Sequence, residues 1–198
     1  MLFDTAQYTQ HTEDFTPDDW ETPPKLAKFI ASLVSPDERL ILSPGAGRGN
    51  IEAYLPKDRE VWAIERKRNR FEEGRQKLLH ICWVNADFLQ FEVGEVGFNL
   101  AIGNPPFSDG LSMAFINHAL YLLKPEGRIL FILPTDHFQA QERARLLTAM
   151  GGIIYHKYDV VGRVGFIKEG AIEPNPQRYH SVFDIRKSER SGVSLVWI

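Results

Sequence analysis

Cysteine is nearly absent: Cys82 is the one such residue among 198. That excludes a disulfide framework and any thiolate metal cluster. Between Ile81 and Trp83 it reads as a small core residue, not a reactive thiol. Long apolar runs are missing too. A stretch such as Ile129–Leu133 is far short of the roughly 20 residues that cross a bilayer. The start, MLFDTAQYTQHTEDF, has acids where a signal peptide would have a basic opening and an apolar centre, so a cytoplasmic protein is expected. Excess charge of one sign is lacking, the formal net charge being −3. This speaks mildly against a surface coated for phosphate binding, although it leaves local patches open. The six histidines show no metal-ligand spacing, and there is no internal repeat or low-complexity segment.

What remains is an ordinary globular composition, 43% hydrophobic and 25% charged, long enough for one domain with a full core. Residues 1–18 show no periodicity and read as an N-terminal arm, leaving 19–198 as a single domain. In "ETPPKLAKFIASLV", Thr22 is placed to cap a helix, Pro23 suits its first position, and Leu26, Phe29, Ile30 and Leu33 share a face. Short apolar strands are expected at 39–42, 61–65, 81–84, 98–103 and 127–133, with helices at 66–80, 111–123 and 141–150 and a helix start at 50–55. Strands that are apolar on both faces and alternate with helices give a parallel sheet covered on both sides. The tail differs. Segments 153–160, 162–168 and 180–186 look like strands without intervening helices, predicting an antiparallel edge. In such an α/β, Rossmann-like fold, ligands bind beyond the carboxyl ends of the strands.

Polar features gather at those ends. "SPGAGRGN" (43–50) supplies glycines at 45, 47 and 49, which allow a tight turn and close backbone approach to a ligand. A dinucleotide fingerprint would need glycine at position 50, where Asn50 stands, and no Gly-Lys-Ser/Thr of a P-loop follows. Glu65 ends the second strand, where a carboxylate can accept from both ribose hydroxyls. Asp87 follows the third, able to accept from an adenine amino group with Phe88 against the ring. After the fourth comes Asn104-Pro105-Pro106-Phe107. Two prolines fix two φ angles and remove two backbone donors, so strand pairing stops there. Asn104 Oδ1 and the Pro105 carbonyl can each take one N–H of a flat amine, and Phe107 offers a stacking face. The basic run Arg66-Lys67-Arg68-Asn69-Arg70 reads as a solvated helical face. His118 reads as packed, and His137 as a residue that lines the target pocket or packs.

This order of motifs resembles the class I AdoMet-dependent methyltransferases. It is most similar to the adenine-N6 amino-methyltransferases, with the cofactor motif preceding the catalytic one, over about residues 20 to 185. "WETPP" (20–24) and "LKPEGRILFILP" (123–134) fit that resemblance as well. It implies a seven-stranded, mostly parallel sheet with an antiparallel edge and S-adenosyl-L-methionine as cofactor. The implied cofactor contacts are Thr22, Ser43, Pro44, Gly45, Ala46, Gly47, Gly49, Glu65, Arg66, Asp87, Phe88 and Asn104. Catalysis would fall to Asn104, Pro105, Pro106 and Phe107, acting on adenine in nucleic acid, DNA rather than RNA. The family's acid two residues before the first glycine is here Ser43, which offers no charge. DNA enzymes of the family carry a separate recognition domain. Residues 151–198 leave little room for one, so recognition would fall to loops 106–112 and 163–180, with Arg163, Phe166, Lys168, Arg178 and Tyr179 as a clamp or as an ordinary hairpin. An RNA adenine-N6 methyltransferase, a protein glutamine methyltransferase and a non-catalytic AdoMet-binding module are the alternatives.

Overall fold

The computed structural model describes residues 20–94, 97–168, 170–173 and 178–187. The expected N-terminal arm lies outside these. Five parallel strands, β1 (Leu40–Pro44), β2 (Glu60–Ile64), β3 (Cys82–Val84), β4 (Phe98–Gly103) and β5 (Leu123–Pro134), are joined by β6 (Gly152–Asp159) and β9 (His180–Lys187). The order is β3-β2-β1-β4-β5-β9-β6. β9 runs antiparallel to both its neighbours. The expected α/β, Rossmann-like architecture with a mostly parallel seven-stranded sheet and an antiparallel element is therefore what the chain adopts.

Alternation along each strand sends residues to two cores. Leu42, Ile64, Ala101, Ile129 and Phe131 face α3 (Leu111–Leu122), while Ile41, Ala63, Leu100, Leu130 and Ile132 face α1 (Pro24–Ser32). Both sets are buried, which is why the strands read as continuous apolar runs. α2 (Arg68–Lys77) lies over β3, its Gly74 against the Trp83 ring, and α4 (Gln141–Ala149) precedes β6. The strand order reverses between β1 and β4, and this switch point positions the site.

Four local expectations fail, each for a visible reason. The helix expected from residue 50 is only a 3-10 turn, Glu52–Tyr54, because Leu55 precedes Pro56 and takes an extended conformation. Pro23, not Thr22, is the cap residue of α1, with no side-chain cap bond, and Pro24 takes the first helical position. Cys82 is exposed. It lies on the edge strand, on the side opposite the Trp83 face that α2 covers. Segment 162–168 adds no strand to the sheet: only Ile167–Lys168 (β7) pairs, with Ala171–Ile172 (β8), in a separate hairpin. Glycines at 162 and 165 deny that segment a pleated face to pack. No helix among the described residues is long and apolar enough to cross a membrane.

Candidate functional site

One cleft opens over the carboxyl ends of β1–β4. Its wall includes Thr22, Ser43, Gly45–Gly47, Glu65, Arg66, Asp87, Phe88, Asn104 and Pro106. Of the residues singled out in the sequence, Pro44, Gly49, Pro105 and Phe107 do not line it. Read across the sheet in strand order, the polar groups run Asp87, Glu65, Ser43, Asn104.

The glycine turn folds as it does because three residues need left-handed backbone. Gly45, Gly47 and Gly49 have φ of 66°, 60° and 84°, which a Cβ makes costly. The Gly47 amide donates to Glu65 Oε2 at 2.8 Å, and the Lys67 amide to Glu65 Oε1 at 2.7 Å. Each carboxylate oxygen is thus anchored by a backbone amide, which fixes the orientation of the carboxylate toward the cleft. Asp87 accepts from the Leu89 amide at 3.0 Å, capping the turn Phe88–Gln90. Phe88 is buried with its ring centroid 4.9 Å from that of Phe115, so it is both a core residue and a cleft wall.

Asn104 stands just past β4. Its Nδ2 donates to the Trp20 carbonyl at 3.3 Å, and its Oδ1 is buried with no hydrogen-bond partner among the described residues. The Trp20 carbonyl, an acceptor, fixes which end of the amide is nitrogen and leaves the oxygen as the unused acceptor. Trp20 is held in turn, because Glu21 pairs in both directions with Ile167, at 2.8 and 3.0 Å. Phe107 packs toward His180, centroids 5.6 Å apart, and Phe166 toward the same ring at 4.7 Å. Burial pulls His180 down to about 4, so that ring is neutral at physiological pH.

The other candidates sort as follows. His118 is packed as expected, between Phe88 and Tyr121, with Nε2 2.7 Å from the Phe91 carbonyl. His137 is buried, does not line the cleft, and is pulled to about 4 by burial and the charge of Arg143. Phe166 is a core residue, which removes it from the proposed clamp. Arg163 sits over Tyr179 at 5.4 Å and Lys168 over Trp20 at 5.1 Å. Sequence reasoning missed Glu52, Trp20 and Arg48. Arg48 ion-pairs with Glu21 and with Glu73 of α2, and Asn50 Nδ2 reaches Glu21 and the Thr22 carbonyl, each at 3.2 Å. These contacts clasp segment 20–22 over the glycine turn. Cues existed: Glu52 is an acid inside an otherwise apolar "IEAYL", and Trp20 and Arg48 lie within the "WETPP" and "SPGAGRGN" segments.

Solved structures share this fold. A Listeria monocytogenes protein assigned to the class I S-adenosylmethionine-dependent methyltransferases superposes with a TM-score of 0.70 at 14% identity, over 92% of this chain and 64% of that one. A Pyrococcus horikoshii protein assigned as an RNA methyltransferase gives 0.68 at 14%, over 93% and 96%. Magnesium protoporphyrin IX methyltransferase from Synechocystis, with bound S-adenosylmethionine, gives 0.59 at 13%, over 83% and 77%. The chain thus spans just under two thirds of the Listeria protein's length. No family model matches the chain, and no curated protein matches it. The fold is that of the class I S-adenosylmethionine-dependent methyltransferases.

Proposed function

We propose that the protein is an AdoMet-dependent methyltransferase acting on the exocyclic N6 amine of adenine in nucleic acid, DNA before RNA. The observation that carries this is the Asn104 amide: a buried acceptor at the end of β4 with no partner among the described residues, held by Trp20, in the same cleft as Glu65 and Asp87. A buried polar atom without a partner costs on the order of 1–3 kcal/mol. An incoming N–H would relieve that cost.

The cofactor would supply the methyl group on its sulfonium. Glu65, oriented by two backbone amides, suits the ribose hydroxyls, and Asp87 with Phe88 suits the adenine of the cofactor. The two cleft oxygens without a partner among the described residues, Glu52 Oε2 and Asn104 Oδ1, are a carboxyl and an amide oxygen, able to accept from a ligand rich in N–H donors. The target amine is a poor nucleophile, since its lone pair is delocalised into the ring. Asn104 Oδ1, with the Pro105 carbonyl, accepts its N–H bonds and binds it more tightly as positive charge develops. The paired prolines keep these acceptors from reorienting. Phe107, backed by His180, provides a face for a base taken out of its stack, worth about 1–3 kcal/mol.

Tritiated AdoMet offered with DNA, RNA or protein tests the reading. Label is expected in N6-methyladenine; label in glutamine refutes the nucleic-acid assignment, and binding without transfer to any of them favours a non-catalytic module. Asn104→Ala is expected to keep binding of S-adenosylhomocysteine and to lose transfer by about 10²-fold or more. Retained transfer would refute the role given to Asn104. RNA is the second reading, favoured by the assignment of the Pyrococcus neighbour, whose length this chain nearly covers.

A further inference from the structure

Ser43, at the end of β1, is wholly buried and its hydroxyl is already committed: it donates to Glu52 Oε1. Glu52 comes from the 3-10 turn that follows the glycine loop, is 1% exposed, and lines the same cleft. Its other oxygen, Oε2, has no hydrogen-bond partner among the described residues. A carboxylate withdrawn from water with one oxygen unused is unfavourable unless a cation meets it. In strand order the Ser43–Glu52 pair stands between Glu65 and Asn104, between the ribose acceptor and the target acceptor.

We propose that Glu52, steered by Ser43, receives the α-ammonium group of the cofactor's amino-acid arm, so that the turn delivers the charge that position 43 lacks. This rests on the cofactor reading above and adds a residue and a contact to it. None of the other charged groups on the cleft wall hydrogen-bonds to Glu52 Oε2. Glu21 pairs with Arg48, Glu65 accepts from two amides, Asp87 caps its own turn, and Arg66, Lys67 and Arg70 lie where the chain enters α2. Burial, with the charge of Glu65 adding to it, raises Glu52 to about 7. A facing ammonium opposes both effects and favours the ionised form.

Calorimetry with three ligands tests this on the wild type and on Glu52→Gln, which keeps an oxygen for Ser43. S-adenosylhomocysteine is expected to bind at least tenfold more weakly to the variant. Methylthioadenosine, which lacks the amino-acid arm, is expected to bind both equally. Equal losses for the two ligands, or no loss for either, overturn the proposal. A loss for AdoMet without one for S-adenosylhomocysteine also overturns it, assigning Glu52 to the sulfonium instead. If the wild type binds none of the three, the cofactor reading falls and this inference with it; if the wild type binds but the variant matches it, this inference alone falls. Should the variant not fold, the wild type suffices. At pH 7, S-adenosylhomocysteine is expected to release more protons than methylthioadenosine, measured in two buffers of different ionisation enthalpy. Equal release overturns the proposal.

Discussion

Replacing Glu52 by glutamine should make this protein more stable, by an amount that grows as pH rises above about 4.5. Burial raises the Glu52 carboxyl from its ordinary 4.5 to about 7, against the opposing hydrogen bond from Ser43. A group whose folded value lies above its unfolded one holds protons more tightly in the folded state. Its stabilising effect is whole below pH 4.5 and is lost as pH rises to about 7. Above that, carrying the buried charge costs the folded protein about 3 kcal/mol. Glutamine resembles the protonated acid, with one oxygen for Ser43 and one donor where Oε2 stood, and it never ionises. The variant's advantage over the wild type should therefore grow by about 2–3 kcal/mol between pH 5 and pH 8. In a chain of this size that corresponds to a relative gain on the order of 5–10 °C in Tm. Urea denaturation at both pH values measures it directly. An advantage of the same size at pH 5 and pH 8, or a variant less stable at pH 8, would refute the reasoning. A residue whose ionisation weakens the fold while its charge serves a ligand is what a binding site demands.

Arg128 on β5 donates to Glu38 Oε2 at 3.0 Å, to Asp184 Oδ2 at 2.9 Å and to the Leu33 carbonyl at 2.7 Å. Arg128→Met leaves two buried carboxylates short of their shared cation and is expected to destabilise by about 3–5 kcal/mol, read as a lower urea midpoint; a loss below about 1 kcal/mol would contradict it. In an exposed helix, alanine for glycine stabilises by roughly 0.5–1 kcal/mol. At Gly74 a Cβ would fall 2.2 Å from the Trp83 ring, so Gly74→Ala is expected to reverse sign and cost about 1–3 kcal/mol. A thermal melt decides between the two signs.

Several features were legible in the chain because they depend on neighbours in sequence. Buried strands announce themselves as apolar runs, and Gly45, Gly47 and Gly49 mark a turn that only left-handed backbone can make. The prolines at 105 and 106 end β4 wherever it lies. The parallel order followed from alternating strands and helices. The tail was less legible. That β9 threads between β5 and β6 while 162–168 stays outside the sheet depends on pairing between residues far apart, which no local pattern encodes. Cys82 was misplaced for the same reason: its exposure follows from β3 being the edge strand, not from Ile81 and Trp83 beside it.

The site divides in the same way. Glu65, Asp87 and Asn104 could be named because each ends a strand, and strand ends of this fold converge on one cleft. What the amide of Asn104 does was decided by the Trp20 carbonyl, 84 positions away in the chain. The environment of the cleft's buried acid was decided by Ser43 meeting Glu52 across a turn, which shut out water and left one oxygen unsatisfied. The sequence by itself determined which backbone is possible at each position and which side chains stand at the sheet's end. The tertiary structure alone decided which polar atoms are satisfied by the protein and which remain for a ligand, because hydrogen-bond partners and desolvation are set by proximity in space.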